Sequence, residues 1–529
     1  MKDISTTEVV QWDLSDADKA MHSLKNYGSN GARTAKDSRP SPKRELLFLP
    51  LYIGVFAVIY ASTVLVPYAA ADSYDRLSVA LQGQLQANDY WVITGGRPIL
   101  AFLTHMLFSA MGGVNDLRYA KVLAVVGLGV LAWAFYQALR MVGIQQRYAL
   151  LIPVLICTLP GYELDVALPI CAFYPLVSAL SGVAFFSLDR AIDRGFSKRG
   201  ALFALASVGL LSIAMMTYQP AAMVYWVFAG IFLLCRRSSL KSLLVRFVIY
   251  GLALVPALAM DILAIKLLPG VLYPNLAGGD TRASQLATDP LERIHWFLRT
   301  PLVDALNLWY LEPRVRIAAL VGVFAFVGLF FFLKGEWAER SGKFVIALVL
   351  LPLAYLPSLV FQQEWGWYRT EVAMTSLLVI YVACAVLGCF HSLSLQKGTV
   401  ATALLIMAAL VGSIGAANNV TRYIVLPEAQ EYGILVNQLR SPALATATSI
   451  YFISPDCSQG VSPLIRYDEF GLPSTCQPWG PPAMVYLILR QINPAKATIP
   501  VILAPPGGPY APPSGSLVID MRMLSSYQT

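Results

Sequence analysis

The segment PILAFLTHMLFSAMGGV, residues 98–114, decides the architecture, because whether it crosses a bilayer sets the side of every loop after it. As a helix it would span about 25 Å, short of the roughly 30 Å hydrocarbon core. The lysines and arginines settle the reading, since cytoplasmic loops hold their excess. If 98–114 stays on one side, the inner loops contain Arg140 and Arg147, then Arg190, Arg194, Lys198 and Arg199, then Arg236, Arg237, Lys241 and Arg246, then Lys334, Arg340 and Lys343, then Lys397. If it crosses, all of these face outward. The segment therefore reads as a helix lying along, or dipping into, the outer membrane face.

Around it the chain alternates long apolar runs with short charged joints. Of its 529 residues 57 % are hydrophobic and only 13 % charged. An ordinary soluble enzyme carries about 25 % charged residues and is excluded. Eleven runs read as membrane-spanning: 46–68, 119–139, 148–161, 166–187, 201–218, 220–235, 244–268, 313–333, 344–360, 371–389 and 398–417. Residues 1–45 are polar, with Arg33, Lys36, Arg39, Lys43 and Arg44 before the first run and no small-residue cleavage site. They read as a cytoplasmic tail, not a signal peptide. The net charge of +8 sits in the inner loops and is no argument for nucleic acid.

This topology places 69–118, 162–165, 269–312, 361–370 and everything after about 418 outside. Residues 418–529 are less apolar, contain PPGGPYAPP at 505–513, and have short strand-like runs at 448–454, 499–504 and 516–520. They read as a small extracytoplasmic α/β domain. Seven cysteines are too few for a disulfide scaffold. Cys457 and Cys476 both lie in this outer region, where an oxidising compartment favours a disulfide between them.

The densest polar segment is ADSYDRLSVALQGQLQANDYWVITGGRPIL, residues 71–100, with Asp72, Asp75, Arg76, Asp89 and Arg97. Asp72 and Asp75 are three apart and share one face of a helix. A carboxylate at the edge of a membrane cavity suits a general base for an acceptor hydroxyl, or a ligand for Mg or Mn holding a phosphate. A helix cap and solvated side chains would account for the same residues singly.

Other polar groups fall on the same side. Glu163 and Asp165 occupy a turn, PGYELD, and Tyr218, Gln219 and Pro220 another. Polar groups at membrane depth are costly unless paired or wetted, which marks them as site candidates. The 269–312 loop carries Asp280, Arg282, Arg293, His295 and Arg299, and 361–371 adds Glu364, Arg369 and Glu371. Arginine forks match phosphate oxygens, so Arg282 and Arg369 are candidates for a lipid phosphate. His105 reads as a packed histidine. No zinc spacing, Walker loop, dinucleotide fingerprint or nucleophile elbow stands in a suitable context.

Taken together, the acidic first outer loop Asp72-Ser73-Tyr74-Asp75-Arg76, the Gly96-Arg97-Pro98 step into a membrane-lying helix, and Tyr218-Gln219-Pro220 between later spans resemble the integral-membrane glycosyltransferases of the GT-C fold. Within that fold the pattern is most similar to the bacterial O-antigen glucosyltransferase (Gtr type II) family, over roughly residues 45–417. The resemblance implies a multi-pass protein of the bacterial cytoplasmic membrane. It implies inverting transfer of a sugar from a polyprenyl-phosphate carrier to a glycan, lipid-linked or protein acceptor outside, with Asp72 or Asp75 as base. Arg76, Asp89, Arg97, Glu163, Tyr218, Gln219, Arg282 and Arg369 would hold substrate. Many relatives begin the loop with two adjacent acids, whereas here Ser73 follows Asp72, and the choice of base and of any metal stays open. The alternatives are an O-antigen-type polymerase or ligase and a secondary transporter, the last of which predicts a repeated half that the chain does not show.

Overall fold

The computed structural model describes residues 45–195, 197–236, 238–276, 287–312, 314–362, 364, 366–392, 397–455, 470–505, 508 and 510–526. Two compact units are present, Met1–Pro50 and Leu51–Thr529, and the second holds the helical bundle and the sheet.

It is a polytopic α-helical membrane protein. Among the described residues seven helices are long and apolar enough to cross a bilayer: Val114–Met141, Pro169–Arg194, Lys198–Thr217, Leu240–Leu272, Val315–Phe332, Tyr368–Cys389 and Gly398–Leu439. Gln146–Cys157 and Pro160–Ala167 make an eighth if taken as one span bent by 64°. The bend falls where Pro160 opens the second helix, since proline lacks the N–H that would continue the first.

Three of the eleven expected spans do not form single long apolar helices. The 46–68 run folds as Phe48–Ile59 and the short Ala61–Leu65. The 220–235 run folds as Gln219–Ala222 and Tyr225–Cys235. The 344–360 run lies in Trp337–Ala354, which carries Glu339, Arg340 and Lys343 in its first two turns, and in Leu356–Val360. Hydropathy alone could not see these breaks, because the residues on both sides are equally apolar. The deciding segment 98–114 gives a helix over Pro98–Ser109, about 18 Å long.

The C-terminal region contains a three-stranded parallel sheet. The central strand β1, Ser449–Ile453, pairs with β2, Val501–Leu503, and with β3, Ser516–Asp520. Every residue of β1 is buried, as a central parallel strand requires. The helix Gly480–Ile492 lies between β1 and β2 in the chain and covers the sheet. Helix Gly398–Leu439 runs through a π-helical turn at Thr421–Val425 directly into this region, so residue 418 lies inside a continuous helix. One apolar core joins the sheet to the helix Ala71–Leu81: Tyr74 and Leu77 pack with Leu435, Ile450, Phe452, Met484, Ile488 and Ile519.

Candidate active site

The helix Ala71–Leu81 carries the two expected carboxylates. Asp72 is exposed in its first turn, where the helix dipole favours an anion. Asp75 follows one turn later, half-buried, with Oδ2 accepting from Asn88 Nδ2 at 2.9 Å. Burial and the neighbouring Asp72 push the Asp75 carboxyl up to about 6, against the pull of Arg76 and the Asn88 hydrogen bond.

Arg76 and Asp89 form a structural pair. Arg76 is fully buried and donates to Asp89, to Asn88 and, at 3.2 Å, to the Ala101 carbonyl. The second oxygen of Asp89 is paired with His105 Nδ1 at 2.6 Å and accepts from the Tyr273 hydroxyl at 3.4 Å. This network ties Ala71–Leu81, Leu85–Thr94 and Pro98–Ser109 together and fixes the aspartates from behind.

A second group lies across the short Pro169–Cys171 turn. Ser73, next to Asp72, accepts from the Ile170 N–H at 3.3 Å, and Arg369 Nη1 donates to Cys171 Sγ at 3.6 Å. Asp72, Asp165 and Arg369 all lie within electrostatic reach of Cys171. Tyr218 stacks on Tyr174 with ring centroids 3.8 Å apart, and the Arg97 guanidinium lies 5.0 Å from the Tyr218 ring centre. Burial raises the Tyr218 phenol well above its ordinary value, while the charges of Arg369 and Arg97 pull it back.

Gln219 supports Arg97 from below. Its Nε2 donates to the Gly96 carbonyl and, at 3.2 Å, to Asp261 Oδ2. Gly96 has φ +84°, and a Cβ there would lie 2.6 Å from Gln219 Nε2, so only glycine fits this turn.

The structure thus groups Arg97, Tyr218 and Gln219, and sets Ser73, beside Asp72, and Arg369 on one Pro169–Cys171 turn, with Asp75 and the Arg76–Asp89 pair behind Asp72. Glu163 is elsewhere. It is fully buried in Pro160–Ala167, a helix rather than a turn, and accepts from Asn419 Nδ2 at 3.4 Å. Arg282 and Cys457 lie outside the described residues. Cys476 is disulfide-bonded, while Cys157, Cys171, Cys235, Cys384 and Cys389 are free thiols.

Two contributors are absent from the sequence-based candidates. Asp261 is a lone acid in the apolar run ALAMDILAIK, and an acid at membrane depth is itself a signal. Trp479, whose Nε1 donates to Asp72 Oδ1 at 3.1 Å, carries none, since 407 residues separate the pair. Among the described residues no three His, Cys, Asp or Glu side chains group to hold a metal. Asp72 and Asp75 alone, with Asp75 already engaged by Asn88, do not make a divalent-cation cage.

No family model matches the chain, and no curated protein sequence does. Among solved structures it is similar to the crystal structure of ArnT from Cupriavidus metallidurans in the apo state. The two share 14 % identity with a TM-score of 0.34, over 86 % of this chain and 89 % of that one. So loose a superposition carries no argument, and function has to be read from the side chains of the site.

Proposed function

We propose that the protein is a GT-C-type glycosyltransferase that moves a sugar from a polyprenyl-phosphate carrier to an acceptor hydroxyl on the outer face of the cytoplasmic membrane. The observation that carries this reading is one exposed carboxylate, Asp72, whose neighbour Ser73 bonds the same Pro169–Cys171 turn as a buried arginine, Arg369, with a second arginine, Arg97, 5.0 Å from the Tyr218 ring centre. One anion and two cations suit a reaction that takes a proton from a nucleophile and releases a phosphate.

In the step itself, Asp72 takes the acceptor hydroxyl proton while the acceptor oxygen bonds to the anomeric carbon. The bond from that carbon to the phosphate oxygen breaks, and its electron pair leaves with the lipid phosphate. Attack opposite the leaving group inverts the anomeric centre. Arg97 and Arg369 stabilise the departing phosphate through planar donor forks. Asp75, one turn along the same helix and held by Asn88, keeps a second carboxyl group beside Asp72. No second catalytic acid is needed, because a phosphate leaves as a stabilised anion.

The test is transfer in nanodiscs from a panel of synthetic polyprenyl-phosphate sugars, comparing wild type with Asp72→Asn and Asp75→Asn at matched folding and expression. Asp72→Asn should cost about 10²–10⁴ in kcat, the usual worth of a positioned base, and Asp75→Asn about tenfold. Full activity in Asp72→Asn removes the assignment of the base. A folded wild type that uses no donor in the panel removes the function.

A further inference from the structure

Trp479 is 44 % exposed, yet its backbone is held from both sides. On one side, the N–H groups of Ser474 and Thr475 donate to the buried Glu431 carboxylate at 2.8 and 2.9 Å. The Ser474 hydroxyl donates to Glu428 at 2.7 Å. Cys476, a few residues before the indole, is disulfide-bonded. On the other side, Gly480 opens the helix Gly480–Ile492, which packs on Ala71–Leu81. A Cβ on Gly480 would fall 2.0 Å from the Ser474 carbonyl oxygen, so the turn closes only around glycine. Pro478, Pro481 and Pro482 stiffen the same stretch.

A large side chain fixed this firmly loses little entropy when a ligand settles on it. Its only polar atom, Nε1, is already engaged with Asp72, so the exposed part of the indole is carbon. A rigid apolar plane with a carboxylate at its edge matches the chemistry of a sugar ring, which has an apolar C–H face and a rim of hydroxyls. A capping role alone needs neither the exposure nor the hydrogen bond to Asp72.

We propose that Trp479 is the floor of the acceptor subsite, taking the apolar face of a sugar ring and presenting a hydroxyl of that ring to Asp72. This rests on Asp72 being the base. The C-terminal region then contributes a side chain to the reaction centre, and the acceptor is a glycan rather than a lipid amine or a protein side chain.

The test uses the full chain in nanodiscs, labelled with 5-fluorotryptophan, and short hexose, N-acetylhexosamine and 6-deoxyhexose oligosaccharides without donor. Trp479→Phe assigns the Trp479 fluorine resonance among the 10 tryptophans. That resonance should shift with at least one glycan of the panel. In transfer assays Trp479→Ala should raise the acceptor KM about tenfold or more, and Trp479→Phe, which keeps a ring, about threefold at most, with the donor KM moving in neither. A Trp479 resonance indifferent to every glycan, or an unchanged acceptor KM in a folded Trp479→Ala, overturns the subsite. Persistent glycan-induced shifts alongside full transfer by Asp72→Asn would leave the subsite standing and remove the base.

Discussion

At the scale of single residues, the two aspartates on one helix face differ in what surrounds them. Asp72 is exposed and touches Trp479, whereas Asp75 is half-buried behind it with a carboxyl pushed up to about 6. A folded-state value above the unfolded one means the folded protein holds that proton more tightly, so this group costs stability as pH rises from about 4 through about 6. Asp75→Asn removes the penalty while its side-chain oxygen can still accept from Asn88. The variant should melt higher than wild type at pH 7.5, keep about half of that gain near pH 5 and lose it below about pH 4. Thermal unfolding at the three pH values checks this, and a gain that grew on acidification would contradict it. Arg97 presents a different chemistry. No carboxylate pairs with it among the described residues, and its guanidinium lies over the Tyr218 ring. Arg97→Lys keeps the charge but loses both the fork and the flat stacking face, so the donor KM should rise about tenfold with the acceptor KM unmoved. Equal donor KM in the two proteins would detach Arg97 from the phosphate.

At the scale of elements, the turn before Pro98–Ser109 shows how a glycine can serve a distant side chain. Gly83 and Gly96 both have positive φ, but only Gly96 has a neighbour where a Cβ would go, the Gln219 amide. Gly83→Ala should therefore cost about 1 kcal/mol of backbone strain, whereas Gly96→Ala adds a clash and the loss of the Gln219 hydrogen bond, for about 2–3 kcal/mol in all. The melting temperatures of the pair measure the difference, and only Gly96→Ala should also raise the donor KM, because Arg97 follows it. The same region marks what the sequence could disclose. Asp72 and Asp75 on one helix, and Tyr218 and Gln219 at a break between apolar runs, follow from local spacing and turn chemistry. The strand-like runs at 448–454, 499–504 and 516–520 likewise contain β1, β2 and β3. By contrast, the burial of Arg76 against Asp89, the anchoring of Gln219 by Asp261 and the arrival of Trp479 depend on which helix packs on which. The helical, buried setting of Glu163 is hidden for the same reason: a proline-headed bend reads as a surface turn until packing covers it.

At the scale of the whole molecule, the shared core between Ala71–Leu81 and Gly480–Ile492 fixes a parity. Segments that pack together lie on one side of the membrane, so the chain between them crosses an even number of times. The long spans from Val114–Met141 onward, with the bent pair counted once, number 8. If Gln219–Cys235 and Trp337–Ala354 cross as well, they add two and leave the count even. Adding Pro98–Ser109 would make it odd and pull the shared core apart across the bilayer, which agrees with a helix of only about 18 Å. Parity cannot say which side is which, but the basic loops can, because Arg194, Lys198 and Arg199 then join the cytoplasmic set. Cysteines introduced at the exposed positions Lys198 and Ala495 separate the cases. In intact spheroplasts a membrane-impermeant maleimide should label Ala495→Cys and spare Lys198→Cys until the membrane is permeabilised. The reverse pattern would put Asp72 in the cytosol, where a carrier-linked sugar displayed outside could not reach it. Labelling of both in intact cells would require an even number of crossings between Lys198 and Ala495, against the five long helices between them.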